Sequence, residues 1–136
     1  MFFETKELEK ICTEKAQLLG DVDLSNYYFQ ENYDNCDEGH YIFTRNGLFH
    51  FVYTERGRES LHRTTEVLFE IVFWVVDSIA GSMANKLAKD EFKPGQVYSK
   101  LLVEKKAMLL NKVGESYKAV AEAEKVEMDN LLKQYQ

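Results

Sequence analysis

Across residues 21–40 the chain carries no lysine and no arginine, although Asp21, Asp23, Glu31, Asp34, Asp37 and Glu38 all lie there. The other 17 acids are matched by the 17 bases, so the whole net charge of −6 sits in one segment. Phosphate binding needs a basic surface, so nucleic acid is excluded as an expected partner and a basic protein is favoured. Cysteine is scarce: Cys12 and Cys36 lie in different segments and form no CxxC pair, which predicts free, reduced thiols in a cytosol. The longest uninterrupted apolar run, 71–76, is far short of the roughly 20 residues that span a bilayer, and no membrane partner is expected. The first residues turn charged at once at Glu4, unlike the basic and then apolar regions of an export signal, so the expected location is cytoplasmic. No GxSxG, P-loop, GxGxxG, HxxxH or HExxH occurs, which argues against catalysis, a cofactor or a metal.

What is present is enough apolar matter to fold. With 136 residues, 45% hydrophobic and 13% aromatic, the chain can bury a core without disulfides or metals, and one domain over 1–136 is expected. Strand-like runs at 40–44 and 48–54 flank Asn46-Gly47, a strong hairpin signal because both central positions of the turn need φ > 0. A two-residue turn would pair Phe43 with His50 and His40 with Tyr53, setting His40 and His50 on opposite faces; a three-residue loop with a bulge would reverse that. A third strand is possible near 26–30. Helical spacing predicts helices over about 3–19, 64–90, 96–113 and 117–135, with Gly20, Pro94-Gly95 and Gly114 as breaks. The segment 67–76 is rich in β-branched residues, yet Ile79, Met83 and Leu87 continue its face, which favours a helix. The expected fold class is α+β, a small antiparallel sheet packed against about four α-helices.

Two stretches carry the candidate sites. Glu55-Arg56-Gly57-Arg58-Glu59 is too charged for a core, and it is expected to fix the turn from sheet to helix, with Gly57 at positive φ. Thr64 and Thr65 are N-cap candidates for the next helix, where Glu66, Glu70 and Asp77 form an acidic stripe that Arg56, Arg58 or Arg63 could clamp. The second stretch is Tyr33, Asp34, Asp37 and Glu38, where an aromatic among carboxylates has the character of a protein-binding surface. The competing reading has the tyrosines of this region packed beneath a solvated acidic loop. Rival functions are a small hydrolase or transferase using the acidic stripe with His50 or His62, and a subunit that docks through its last helix.

The run Phe51-Val52-Tyr53-Thr54-Glu55-Arg56-Gly57, then Arg63-Thr64-Thr65 and a helix start bearing Trp74, resembles the bacterial immunity protein 63 family of polymorphic toxin systems. That pattern is an aromatic strand running into Glu-Arg-Gly, a Thr-Thr step and a Trp-bearing helix, and it covers roughly residues 40–80. The resemblance implies that Glu55, Arg56, Gly57, Thr64, Thr65 and Trp74 form a structural motif. It also implies a small cytoplasmic protein that binds one toxin domain and blocks it, with no catalysis of its own.

Overall fold

A computed structural model describes residues 4–33 and 37–135. Its elements in chain order are α1 (Thr5–Ala16), a single 3₁₀ turn (Gln17–Leu19), β1 (Tyr27–Tyr28), β2 (Gly39–Arg45), β3 (Leu48–Glu55), β4 (Arg58–Thr65), α2 (Leu68–Glu91), α3 (Tyr98–Leu110) and α4 (Glu115–Lys133). The fold is α+β, with a four-stranded mixed sheet in the order β1-β2-β3-β4. The chain packs as two compact units: α1, the sheet and α2 as far as Val76 belong to the first, and Leu18–Val22 and the chain from Asp77 onward to the second.

The hairpin forms where the sequence places it. Asn46 and Gly47 take φ of 54° and 76°, the pair of left-handed conformations that a two-residue turn requires, and the register follows with Phe43 opposite His50 and His40 opposite Tyr53. His40 and His50 therefore lie on opposite faces. The third strand exists as β1, and it runs parallel to β2, with Tyr27 opposite His40 and Tyr28 opposite Tyr41. The close approach depends on Gly39 (φ 156°), because a Cβ there would stand 2.6 Å from the Asn26 carbonyl oxygen.

The charged stretch after β3 corrects the expectation. It does not lead from sheet to helix; Arg56 and Gly57 form a second two-residue turn, with φ of 54° and 74°, and the chain returns as β4, antiparallel to β3. β4 carries no buried alternation to mark it in the sequence, since every residue of it but Thr65 is exposed. Gly57 is at positive φ as anticipated, and a side chain there meets open space, so Gly57→Val acts through backbone strain alone. Denaturant unfolding of that variant is expected to show a loss of more than about 1 kcal/mol; an unchanged midpoint would mean that the turn tolerates a β-branched residue.

One face of the sheet carries Ile42, Thr44, Phe49, Phe51 and Thr65, and it receives both flanking helices of the first unit. Thr5 Oγ1 accepts the Thr44 N–H at 3.2 Å, tying the start of α1 to β2, and the inward side of α1 buries Leu8, Cys12 and Ala16. Trp74 lies against Phe51 with ring centroids 6.4 Å apart, which sets the start of α2 on this face. Thr64 and Thr65 end β4 and are not the N-cap, since the helix begins at Leu68. Thr65 still prepares that start: its hydroxyl accepts the Val67 N–H at 3.0 Å and donates to Glu70 Oε1 at 3.0 Å. α2 is long and apolar enough to cross a membrane by length and composition, and along it Ile71, Val72, Val75, Val76, Ile79, Ala80, Ala84 and Ala88 are buried within the protein.

In the second unit α3 and α4 pack together, burying Ala107, Leu109, Leu110, Tyr117 and Ala121. Val97 and Met108 are about half exposed. Among the described residues no arginine clamps the acidic stripe. Asp77 is bound at 2.7 Å by Lys106, which also reaches Glu124 at 3.3 Å; burial alone would lower that ammonium, but Asp77 and Glu124 hold it above its ordinary value. Arg63 instead lies over the Trp74 ring at 3.9 Å, a cation–π contact.

Candidate functional site

The second face of the sheet presents Tyr41, Phe43, His50, Val52 and His62, and the chain between β1 and β2 folds back onto it. Tyr41, Phe43 and Val52 are fully buried there, with Tyr28 and Tyr33 packed against them. Tyr33 is half-buried, its ring centroid 5.7 Å from that of Tyr41 and 6.1 Å from that of Phe43. This tyrosine thus packs onto the sheet, and it also has a polar role. Its hydroxyl donates to Glu59 Oε2 at 2.8 Å, Glu59 Oε1 meets His62 Nδ1 at 2.7 Å, and His62 Nε2 meets His50 Nδ1 at 2.9 Å. His50 in turn stacks flat on Phe43 at 4.7 Å.

This chain of four side chains ties the loop before β2 to the outer strand β4. The Tyr33 hydroxyl chiefly, and His62 as well, hold the Glu59 carboxyl below the usual range against the opposing effect of burial. Burial foremost holds His50 below an ordinary histidine. The relay was not foreseen, because the bulge between Tyr53 and Thr54 that turns Glu59 toward His62 leaves no mark on residue spacing. His50 and His62 also lie on the face opposite Thr65 and Glu70, so a site combining these histidines with the acidic stripe is not assembled. Among the described residues no group of three or more His, Cys, Asp or Glu could hold a metal ion.

His40, on the helix-covered face, stacks on Tyr27 at 4.6 Å and abuts Phe51 and Tyr53, and burial pushes its pKa from 6.5 to about 4. Between those pH values the unfolded chain binds a proton that the folded one refuses, so stability falls as pH drops from 6.5 toward 4. Allowing for the partial exposure of the ring, the loss should reach about 2 kcal/mol near pH 4. Urea unfolding at pH 7 and pH 4.5 is expected to show a smaller pH loss in His40→Phe than in the parent, since Phe keeps the stack and removes the proton; equal losses would exonerate His40.

The acidic segment ends at the edge of this architecture. The Asp37 carbonyl accepts the Tyr41 hydroxyl at 2.6 Å and the Thr54 hydroxyl at 3.4 Å, while Asp37 and Glu38 are both exposed. Burial first, then the charges of Glu38 and Glu55, raise the Tyr53 phenol above its ordinary value. Gly39 pairs with Thr54, so Glu38 and the Glu55-Arg56-Gly57 turn lie at the same end of the sheet. Of the sequence-derived residues, Asp34 lies outside the described residues, as does Cys36, whereas Cys12 is free, with burial pushing its thiol up to about 12.

A family model described as immunity protein 63 matches residues 46–127, more than half of the chain. The chain belongs to that family. In this immunity protein the match takes in Glu55, Arg56, Gly57, Thr64, Thr65 and Trp74, and it extends well beyond the stretch that first suggested the family. The acidic segment lies outside it. No curated protein and no solved structure matches the immunity protein.

Proposed function

We propose that the protein binds and neutralises a cognate bacterial toxin domain in the cytoplasm, without catalysis of its own, and that the toxin presents a basic surface to Tyr33, Asp34, Asp37 and Glu38. The family match carries the reading, since it implies a toxin partner. Charge supports the assignment of the surface: this segment holds the entire net charge, and among the described residues Asp37 and Glu38 make no ion pair. Carboxylates left unpaired on one side of a fold repel one another, and a basic partner removes that cost while steering its own approach. Tyr33 contributes through the part of its ring left accessible and by holding the loop to Glu59. The test is co-purification with the toxin domain encoded by the upstream neighbouring gene, its activity disabled, together with survival of cells that express the active toxin. A stable complex and protected cells support the reading; no complex and no protection would refute it.

A further inference from the structure

The two hairpins of the sheet contain an internal comparison. Asn46-Gly47 and Arg56-Gly57 adopt the same turn, with the first residue at φ 54° in each case and the glycine at 76° and 74°. Asparagine is suited to that left-handed position because its short side chain tolerates the conformation, whereas arginine has a full Cβ and Cγ and gains nothing there. A turn built only to reverse the chain is thus better served by the first sequence than by the second. Strain retained at an exposed position points to a use for the side chain.

The surroundings of Arg56 remove the internal explanations. Glu38 and Glu55 stand at the same end of the sheet, next to the paired Gly39 and Thr54, yet among the described residues neither Arg56 nor Arg58 forms an ion pair with them or with any other acid. Arg45 and Arg63, the other two arginines of the chain, are both engaged, with Glu31 and Phe43 and with Trp74 respectively. Three of the four arginines lie in strands and Arg56 in the turn between two of them, whereas all thirteen lysines lie elsewhere. The two at the tip of the β3–β4 hairpin are exposed and uncommitted.

We infer that Arg56 is a toxin-contact residue: held out at the hairpin tip, it receives a carboxylate of the toxin beside the basic surface that faces Asp37 and Glu38. This rests on the proposed toxin-binding function and adds an opposite charge to the same surface. A planar guanidinium donates two parallel hydrogen bonds to a carboxylate, which fixes orientation as well as attraction, so the acidic segment would speed approach and Arg56 would set register.

The discriminating variant is Arg56→Asn, which copies the other turn of the same sheet. It is expected to raise the melting temperature by about 2–5 °C and to weaken binding of the purified, activity-disabled toxin domain from the neighbouring gene by at least about tenfold. Arg56→Lys, which keeps the charge and loses the fork, should bind with intermediate affinity. Opposite movements of stability and affinity establish the assignment, because loss of a purely structural residue moves both downward. A more stable Arg56→Asn protein that binds like the parent would overturn it while leaving the toxin-binding function intact. An Arg56→Asn protein no more stable than the parent would remove the strain on which the inference stands. Failure of the parent protein to bind that toxin would overturn the function and this inference together.

Discussion

Replacing Asp34, Asp37 and Glu38 together by lysine is expected to leave the fold intact and to slow association with the toxin by at least about tenfold at low ionic strength. Folding should survive because Asp37 serves the fold through its backbone carbonyl, which every substitution retains, and Glu38 is exposed. Association should suffer because the exchange turns three of the six acids of residues 21–40 into cations, so that a field that attracted a basic toxin repels it. Salt separates this from a loss of packing. As the Debye length falls from about 10 Å at 0.1 M to about 3 Å at 1 M, the parent should slow and the triple variant should not, so their rates should converge. Stopped-flow association at several salt concentrations, with a thermal melt of each protein, makes the measurement. A well-folded triple variant with unchanged rate, affinity and cell protection would move the contact away from the acidic segment.

The second large effect is expected at Gly39. Alanine there would bring its Cβ to 2.6 Å from the Asn26 carbonyl oxygen and 2.9 Å from Tyr28 Cε2, at a φ of 156° that side chains rarely adopt. The first contact is with backbone, which cannot swing aside, and the same oxygen accepts the His40 N–H at 2.8 Å. Relief of the clash therefore breaks the hydrogen bond that joins β1 to β2. Strain and lost pairing together should cost about 2–4 kcal/mol, an apparent melting decrease on the order of 10 °C. Hydrogen exchange should localise the damage to Tyr27, Tyr28 and His40. A Gly39→Ala protein melting within about 2 °C of the parent would show that the strands part at little cost.

The contrast between Gly39 and Asn46-Gly47 explains what the sequence revealed and what it did not. A turn signal is local, so the first hairpin could be read from a few adjacent residues, while its register and the faces of His40 and His50 stayed open between a two-residue turn and a bulged loop until the pairing was seen. The role of Gly39 depends on Asn26, a residue distant in sequence, and nothing in the residues flanking Gly39 announces it. β4 escaped notice for a related reason: as an outer strand exposed along nearly its whole length, it has no buried alternation to display. The acidic segment was legible as charge, but Tyr33 became a fixed point only once Glu59 had been turned toward it across the sheet. Arg56 was legible as part of a motif, and its left-handed conformation became visible only with β4 in place.

The parallel pairing of β1 with β2 has a consequence for the thermodynamics of recognition. Parallel neighbours need a crossover, and here it spans residues 29–38, which hold Glu31, Asp34, Asp37 and Glu38. Closing a loop of about ten residues costs on the order of 2 kcal/mol in chain entropy, and folding has already met that cost. Both ends of the crossover are held in the sheet, and Tyr33 fastens it again partway along. In the proposed complex a toxin would meet Asp37 and Glu38 on a connection already anchored in the sheet, and less of its interaction energy would be consumed in gathering them than a free acidic tail of equal charge would demand.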